Sequence, residues 1–354
     1  MTRYRLLVVL VASVAVAAVI AGGLLATRVS PSSQGTAAVP LAAKPLVDID
    51  ATLLATGPQP QVTFLRARTV HAPTGDPITV PGTAEIVGVA RLWDTTFTIQ
   101  RQGTGSALVV LDTEARPVNR IPGVDSLVSS LDGQAAAYAA GHLDAWTPGG
   151  TLYFQGPGDK PSATLARKNG YGLQVLRVAG RTVYFKSAQT AEVPPTLFRW
   201  DVDSQQVSPA GKAVEPTAVS ADGARSANMI VHTDSGSCSA LTETATGRQP
   251  WQTCQRQITG FSPTGTYAVG MPVGDWPFGP DQIWPLETTT GKPLREWKAP
   301  AIQDTRAEDD DHLLLAWHDR AAPGSRSALV RCTISTGQCE LASPLSGELL
   351  LLGS

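Results

Sequence analysis

Two kinds of turn alternate along this chain at a mean spacing of about forty-four residues, and this repeat restricts the fold more than any other feature. The first kind is a small-residue turn that leads into an apolar, β-prone run. It reads Ser130-Leu131-Asp132-Gly133 ahead of AAAYAAG, Ser220-Ala221-Asp222-Gly223 ahead of ARSANMIV, and Ser262-Pro263-Thr264-Gly265 ahead of TYAVGM. Weaker copies stand at Leu92-Trp93-Asp94, Val178-Ala179-Gly180, Glu308-Asp309-Asp310-Asp311 and Ser346-Gly347. The second kind sits inside hairpins, at Thr74-Gly75, Asp112-Thr113-Glu114, Pro148-Gly149-Gly150, residues 201–204, Thr246-Gly247, Thr290-Gly291 and Thr336-Gly337.

Both series reach seven, so the chain divides into seven units that read strand, Asp-Gly-type turn, strand, longer connection, strand, tight turn, strand. A four-stranded unit cannot bury both of its faces by itself. Stacking seven around an axis covers them, and the expected fold class is all-β, a seven-bladed β-propeller of four-stranded blades. Composition agrees: Gly at 33 positions and Pro at 27, charged residues at 16% and three Met describe strands and turns rather than helices. The unit spanning residues 130–170 carries the weakest alternation. At the ends, the hairpin within residues 62–82 and the closing SGELLLLGS each supply half of a blade. Pairing residues 348–353 with the strand near residues 62–68 would close the ring without a covalent bond and leave no free edge there.

With its Ser-x-Asp-Gly turns at 130 and 220, the related Ser-Pro-Thr-Gly at 262 and a Cys-hairpin at 332–339, the region from about residue 60 to 354 resembles the TolB-type or WD40-like propellers attached to the envelope of high-GC Gram-positive, actinobacterial cells. The Gly-His and Trp-Asp signatures of true WD40 repeats are missing apart from an isolated Trp93-Asp94. The resemblance implies a fold and an interaction role and names no substrate.

Ahead of the repeat, residues 6–26 form an uninterrupted apolar or small stretch, LLVVLVASVAVAAVIAGGLLA, long enough to cross a bilayer core as a helix. It exceeds the apolar region of a cleavable signal peptide. Arg3, Arg5 and the amino terminus outweigh Arg28, so the positive-inside rule puts the short tail in the cytoplasm. The expected organisation is a cytoplasmic tail at 1–5, a transmembrane signal-anchor helix at 6–27, a Ser/Ala/Pro-rich linker at 28–44 and an extracytoplasmic propeller at 45–354, single-pass in the cell membrane. Without Arg3 and Arg5 the chain is mildly acidic, which excludes a phosphate-backbone surface and leaves nucleic acid out as a partner.

Four cysteines fall in two hairpins. Cys332 and Cys339 flank the Thr336-Gly337 turn, and Cys238 and Cys254 enclose Thr246-Gly247, so strand pairing selects the disulfides Cys238–Cys254 and Cys332–Cys339. An oxidising location permits both. A metal site is disfavoured, since there is no Cys-x-x-Cys and His312 and His318 lie well away in sequence from either pair.

Catalytic signals are thin. Asp132-Gly133 and Asp222-Gly223 offer one carboxylate each and read as turns rather than calcium loops. The run Glu308 to Asp311 with His312 is the densest acidic cluster, but it occupies a turn slot of the repeat. His71, His142, His232, His312 and His318 are scattered over different units, Asp234-Ser235-Gly236 lies in a Gly/Ser loop, and neither a His-Glu-x-x-His nor a Gly-x-Ser-x-Gly motif occurs. No cofactor is indicated. The most distinctive loop is PVGDWPFGPDQIWP, residues 272–285, where Trp276, Phe278 and Trp284 stand among four prolines. Prolines stiffen a loop and aromatic side chains anchor interfaces, so these three are the candidate ligand-binding residues; covering a sheet edge is their other use. The expected function is a non-enzymatic binding or scaffold module for an envelope protein, peptide or polymer. The alternative is a propeller enzyme, a glycan hydrolase or lyase or a quinone-dependent dehydrogenase, with paired carboxylates or a cofactor cage at the channel.

Overall fold

A computed structural model describes residues 46–353 apart from 142–146, 159, 234–235, 275 and 320–323. Their alternating apolar runs form seven antiparallel sheets arranged as consecutive blades of a ring. The strand nearest the axis is Leu350–Leu352 in blade I, Glu85–Leu92 in II, Val124–Ser129 in III, Tyr171–Ala179 in IV, Pro216–Val219 in V, Arg256–Phe261 in VI and Ala301–Ala307 in VII. Calling the strands of a blade a to d from the axis outward, the a–b and c–d turns lie on one face of the ring. The b–c loops and the links between blades lie on the other.

The blades are held by apolar contact between neighbours, and there is one buried cluster for each of the seven interfaces. Because successive side chains of a strand point to opposite faces, a continuous apolar run feeds two clusters at once. In strand Ala136–Gly141, Ala136 and Tyr138 pack toward blade II while Ala137 and Ala139 pack toward blade IV. In strand His312–His318, Leu313, Leu315 and Trp317 face blade VI, and Leu314 and Ala316 face blade I. This two-sided burial is why these two strands carry no Asp, Glu, Lys or Arg.

The Ser-x-Asp-Gly turns close as their residue types require. Ser130 Oγ bonds Asp132 Oδ1 at 2.5 Å and accepts the Ala135 amide at 2.9 Å, and Ser220 and Asp222 repeat this arrangement in blade V. Six members of each turn series fall where the repeat puts them. Pro148-Gly149-Gly150 instead joins strands b and c of blade III, whose c–d connection runs through residues 156–162. Gly150 serves close packing there, since a Cβ on it would press on Leu173 and on the Ala140 carbonyl. Ser346-Gly347 likewise precedes strand a of blade I, because that blade has no covalent a–b turn.

Ring closure follows the expected pairing, Phe64 with Leu352, Leu65 with Leu351 and Arg66 with Leu350. The division is three strands from the amino-terminal side and one from the carboxyl end, not two and two. A feature without a sequence signal is the segment 46–61. It adds a parallel strand, Val47–Asp48, outside Trp297–Lys298 of blade VI, then crosses blade VII through a bridge of Thr56 to Leu341. Arg331, buried in strand c of blade VII, pins it by donating to the carbonyls of Pro58 and Gln59 at 2.9 and 3.0 Å while pairing with Glu308 and Glu340.

Both disulfides form as expected, Cys238–Cys254 and Cys332–Cys339, and they mark a chain that matures in an oxidising, extracytoplasmic compartment. Among the described residues no helix is long and apolar enough to cross a membrane. The helix expected at 6–27, its tail and its linker lie outside the described residues.

Candidate functional site

Strands a carry the residues that can reach the axis, and here the alternation is interrupted by charge. Asp125, Arg177, Asp304 and Arg306 all sit on inner strands. Burial pushes the Asp125 and Asp304 carboxyls up to about 6, and burial also lowers Arg177 and takes Arg306 down to about 10. The carboxylates stand toward the loop face and the guanidiniums toward the turn face, so the channel is charged along its length.

Two cavities open on the loop face. One, of about 740 Å³, lies between blades VI and VII and the closing strand, and is lined by Gln257, Met271, Trp276, Phe278, Gln303 and Asp304 among others. The loop after strand Tyr267–Pro272 supplies its rim. That loop is fixed to blade VII by Ile302, which donates to the Pro280 carbonyl at 2.8 Å, and to its own blade by Ala299, which donates to that of Asp281 at 2.9 Å. Gly279 is required at this seam, because its φ of 88° is left-handed and a Cβ would collide with the Ile302 carbonyl. Trp276 and Phe278 remain 41% and 55% exposed on this anchored loop. Trp284 is not brought to the cavity. It lies in strand Gln282–Glu287, 6% exposed, with the Arg256 guanidinium 4.6 Å over its ring.

The other loop-face cavity, about 670 Å³, opens over blade IV and is lined by Asp125, Gln174, Lys186, Glu192 and Glu215, with an apolar side of Val193, Pro194 and Pro195. One oxygen of Asp125 is buried without a hydrogen-bond partner. Burial lowers Lys186, opposed by Glu215. Sequence reading missed Asp125, Lys186 and the channel arginines; their one signal is a charge inside an inner-strand run such as AIQDTRA.

The other sequence candidates resolve into structural roles. In the acidic run, Glu308 pairs with Arg331, Asp309 accepts from His312, Asp310 from Thr264 and Thr266, and Asp311 from Ser335. Each carboxylate thus has its own protein partner. Among the described residues no group of three His, Cys, Asp or Glu could hold a metal ion. His71 stacks on Phe64 at 4.7 Å, while His142 and the Asp234-Ser235 pair lie outside the described residues.

No family model matches the chain, and no curated protein matches it. Similar solved structures include propellers. TolB from Acinetobacter baumannii is 16% identical, covering 64% of this chain and 61% of its own, with a TM-score of 0.42. An uncharacterised protein of Listeria monocytogenes is 11% identical over 77% of this chain and 90% of its own, at 0.50. The β-propeller domain of the trilobed protease from Pyrococcus furiosus is 10% identical over 74% and 85%, at 0.51. This chain spans less than two thirds of the TolB structure. At such identities the likeness shows the fold alone. The Pyrococcus domain is described as having an open velcro topology, whereas here Leu350–Leu352 pairs with Phe64–Arg66.

Proposed function

We propose that the chain is a membrane-anchored, extracytoplasmic propeller that binds an envelope protein, peptide or polymer on its loop face without chemical turnover. One observation carries this reading. Trp276 and Phe278 are held exposed, on a loop fixed to the next blade, at the rim of a cavity of about 740 Å³. Aromatic side chains fixed in advance lose little entropy on binding and bury large areas, the property of interface anchors. Trp284 lies inside the sheet of blade VI beside Arg256. Two disulfides, the apolar stretch 6–26 and the Arg3/Arg5 flank support the placement outside the cell membrane.

The test is capture from envelope extracts with the full chain and with a variant carrying Trp276→Ala and Phe278→Ala. A partner retained by the first and lost by the folded second supports the reading; equal capture by both refutes it. Carbonate washing of membranes tests the anchor, since a chain anchored by residues 6–27 stays with the lipid.

The enzyme reading rests on a different observation: Asp125, raised to about 6, shares one cavity with Glu192 and Glu215, as a general acid and a second carboxylate in glycan cleavage would. Turnover of an envelope glycan that Asp125→Asn abolishes and the Trp276→Ala, Phe278→Ala variant retains would establish it instead.

A further inference from the structure

Two arginines reach the turn-face end of the channel from nearly opposite sides of the ring, and neither forms an ion pair among the described residues. Arg177 belongs to the inner strand of blade IV and Arg306 to that of blade VII, three blades on. Both line one cavity of about 200 Å³ together with Thr217, Thr259 and Thr305. Arg177 Nε is buried without a hydrogen-bond partner. Arg306 donates through Nη1 to the Gly353 carbonyl, which is neutral.

Around the two cations little compensates their charge. Asp304, two residues before Arg306, stands toward the loop face, and Asp222 lies in the a–b turn of blade V, where its Oδ1 receives Ser220 and the Ala224 amide. The Thr217 hydroxyl donates to the Ile258 carbonyl at 2.7 Å and the Thr259 hydroxyl to that of Val269 at 3.5 Å. Their protons are therefore committed, and the guanidiniums are the strong donors that face the cavity. An unpaired buried charge is expensive, and two of like sign repel. An oxyanion between them relieves both penalties through charge-assisted hydrogen bonds from planar forks suited to a carboxylate or phosphate. The cavity admits one such group.

We propose that Arg177 and Arg306 form an oxyanion-binding site that takes the carboxylate or phosphate group of a ligand entering from the turn face. It is separate from the aromatic rim on the loop face. The probes are inorganic phosphate and malonate, titrated calorimetrically into the purified full-length chain at matched ionic strength. At least one should bind saturably, and the tighter of the two identifies phosphoryl or carboxyl as the source. Arg177→Gln should weaken that binding about tenfold or more, while Arg101→Gln, which removes a surface pair with Glu85, leaves it unchanged. With no oxyanion present, Arg177→Gln should also raise the melting temperature, because it removes an unpaired charge from beside Arg306. A variant that merely lost structure would lower it. Absence of saturable binding by both probes, equal binding by Arg177→Gln, or a lowered melting temperature in anion-free buffer would each overturn the proposal.

Discussion

Replacing Leu350 by Ala attacks the ring at the seam where its two ends meet. Leu350 is 1% exposed and packs with Phe64, Leu314, Ala316 and Leu329 between blades VII and I. Truncating a fully buried Leu costs about 2–5 kcal/mol through lost transfer energy and a residual cavity. If the ring melts as one body of about 300 residues, its unfolding entropy is about 0.6 kcal/mol/K, so the melting temperature should fall by about 3–8 °C. Leu349 is the internal control. It is the neighbouring residue on the same segment but 46% exposed, and Leu349→Ala should shift melting by less than about 1 °C. Differential scanning calorimetry reads both, and equality of calorimetric and van't Hoff enthalpies checks the single transition. Equal small shifts for the two variants, or a separate low-temperature transition with the main one unmoved, would refute the idea that this strand closes a cooperative ring.

Arg331→Met should destabilise by about 3–5 kcal/mol, because it leaves Glu308 buried without its partner, and should expose residues 46–61 to limited proteolysis before the blades. Reducing the disulfides should lower stability by about 2–3 kcal/mol for each short loop in the chain-entropy model, read by denaturant melts with and without reductant. Asp125 has a folded pKa above its unfolded one, so the folded state binds the extra proton and its contribution to stability falls as pH rises from about 4 to about 6. Asp125→Asn should therefore be more stable than the parent at pH 7 and lose that advantage below pH 4, as melting curves across pH would show.

The architecture was legible because turn chemistry is local. Ser130, Asp132 and Gly133 write their turn into the sequence through side-chain-to-backbone bonds, and the same four-residue grammar recurs in blades V and VI. The misplaced signal, Pro148-Gly149-Gly150, shows the limit of that grammar, since glycine also marks close approach between blades. The strap at 46–61 had no periodicity to betray it and depends on Arg331, some 270 residues away in sequence. Of the candidate site, part of the lining was legible. An aromatic, proline-rich loop announces itself, and Trp276 and Phe278 do stand at a cavity. Trp284 is buried because its strand is covered on both faces, Ile283 to Leu286 all being buried, and it sits in the sheet beside Arg256. The channel charges come from blades far apart in the chain, and only ring closure brings Arg177 and Arg306 to one cavity.

The most direct test of the binding reading is site-specific photo-crosslinking in the intact cell, with a photoreactive phenylalanine analogue at position 278 and, in a second chain, at position 93. Both residues are exposed, on opposite faces of the ring. The account predicts one discrete adduct from position 278 that Trp276→Ala diminishes, and none from position 93. A discrete adduct from position 93 alone, or no adduct from position 278 in an envelope that contains the folded protein, would contradict it.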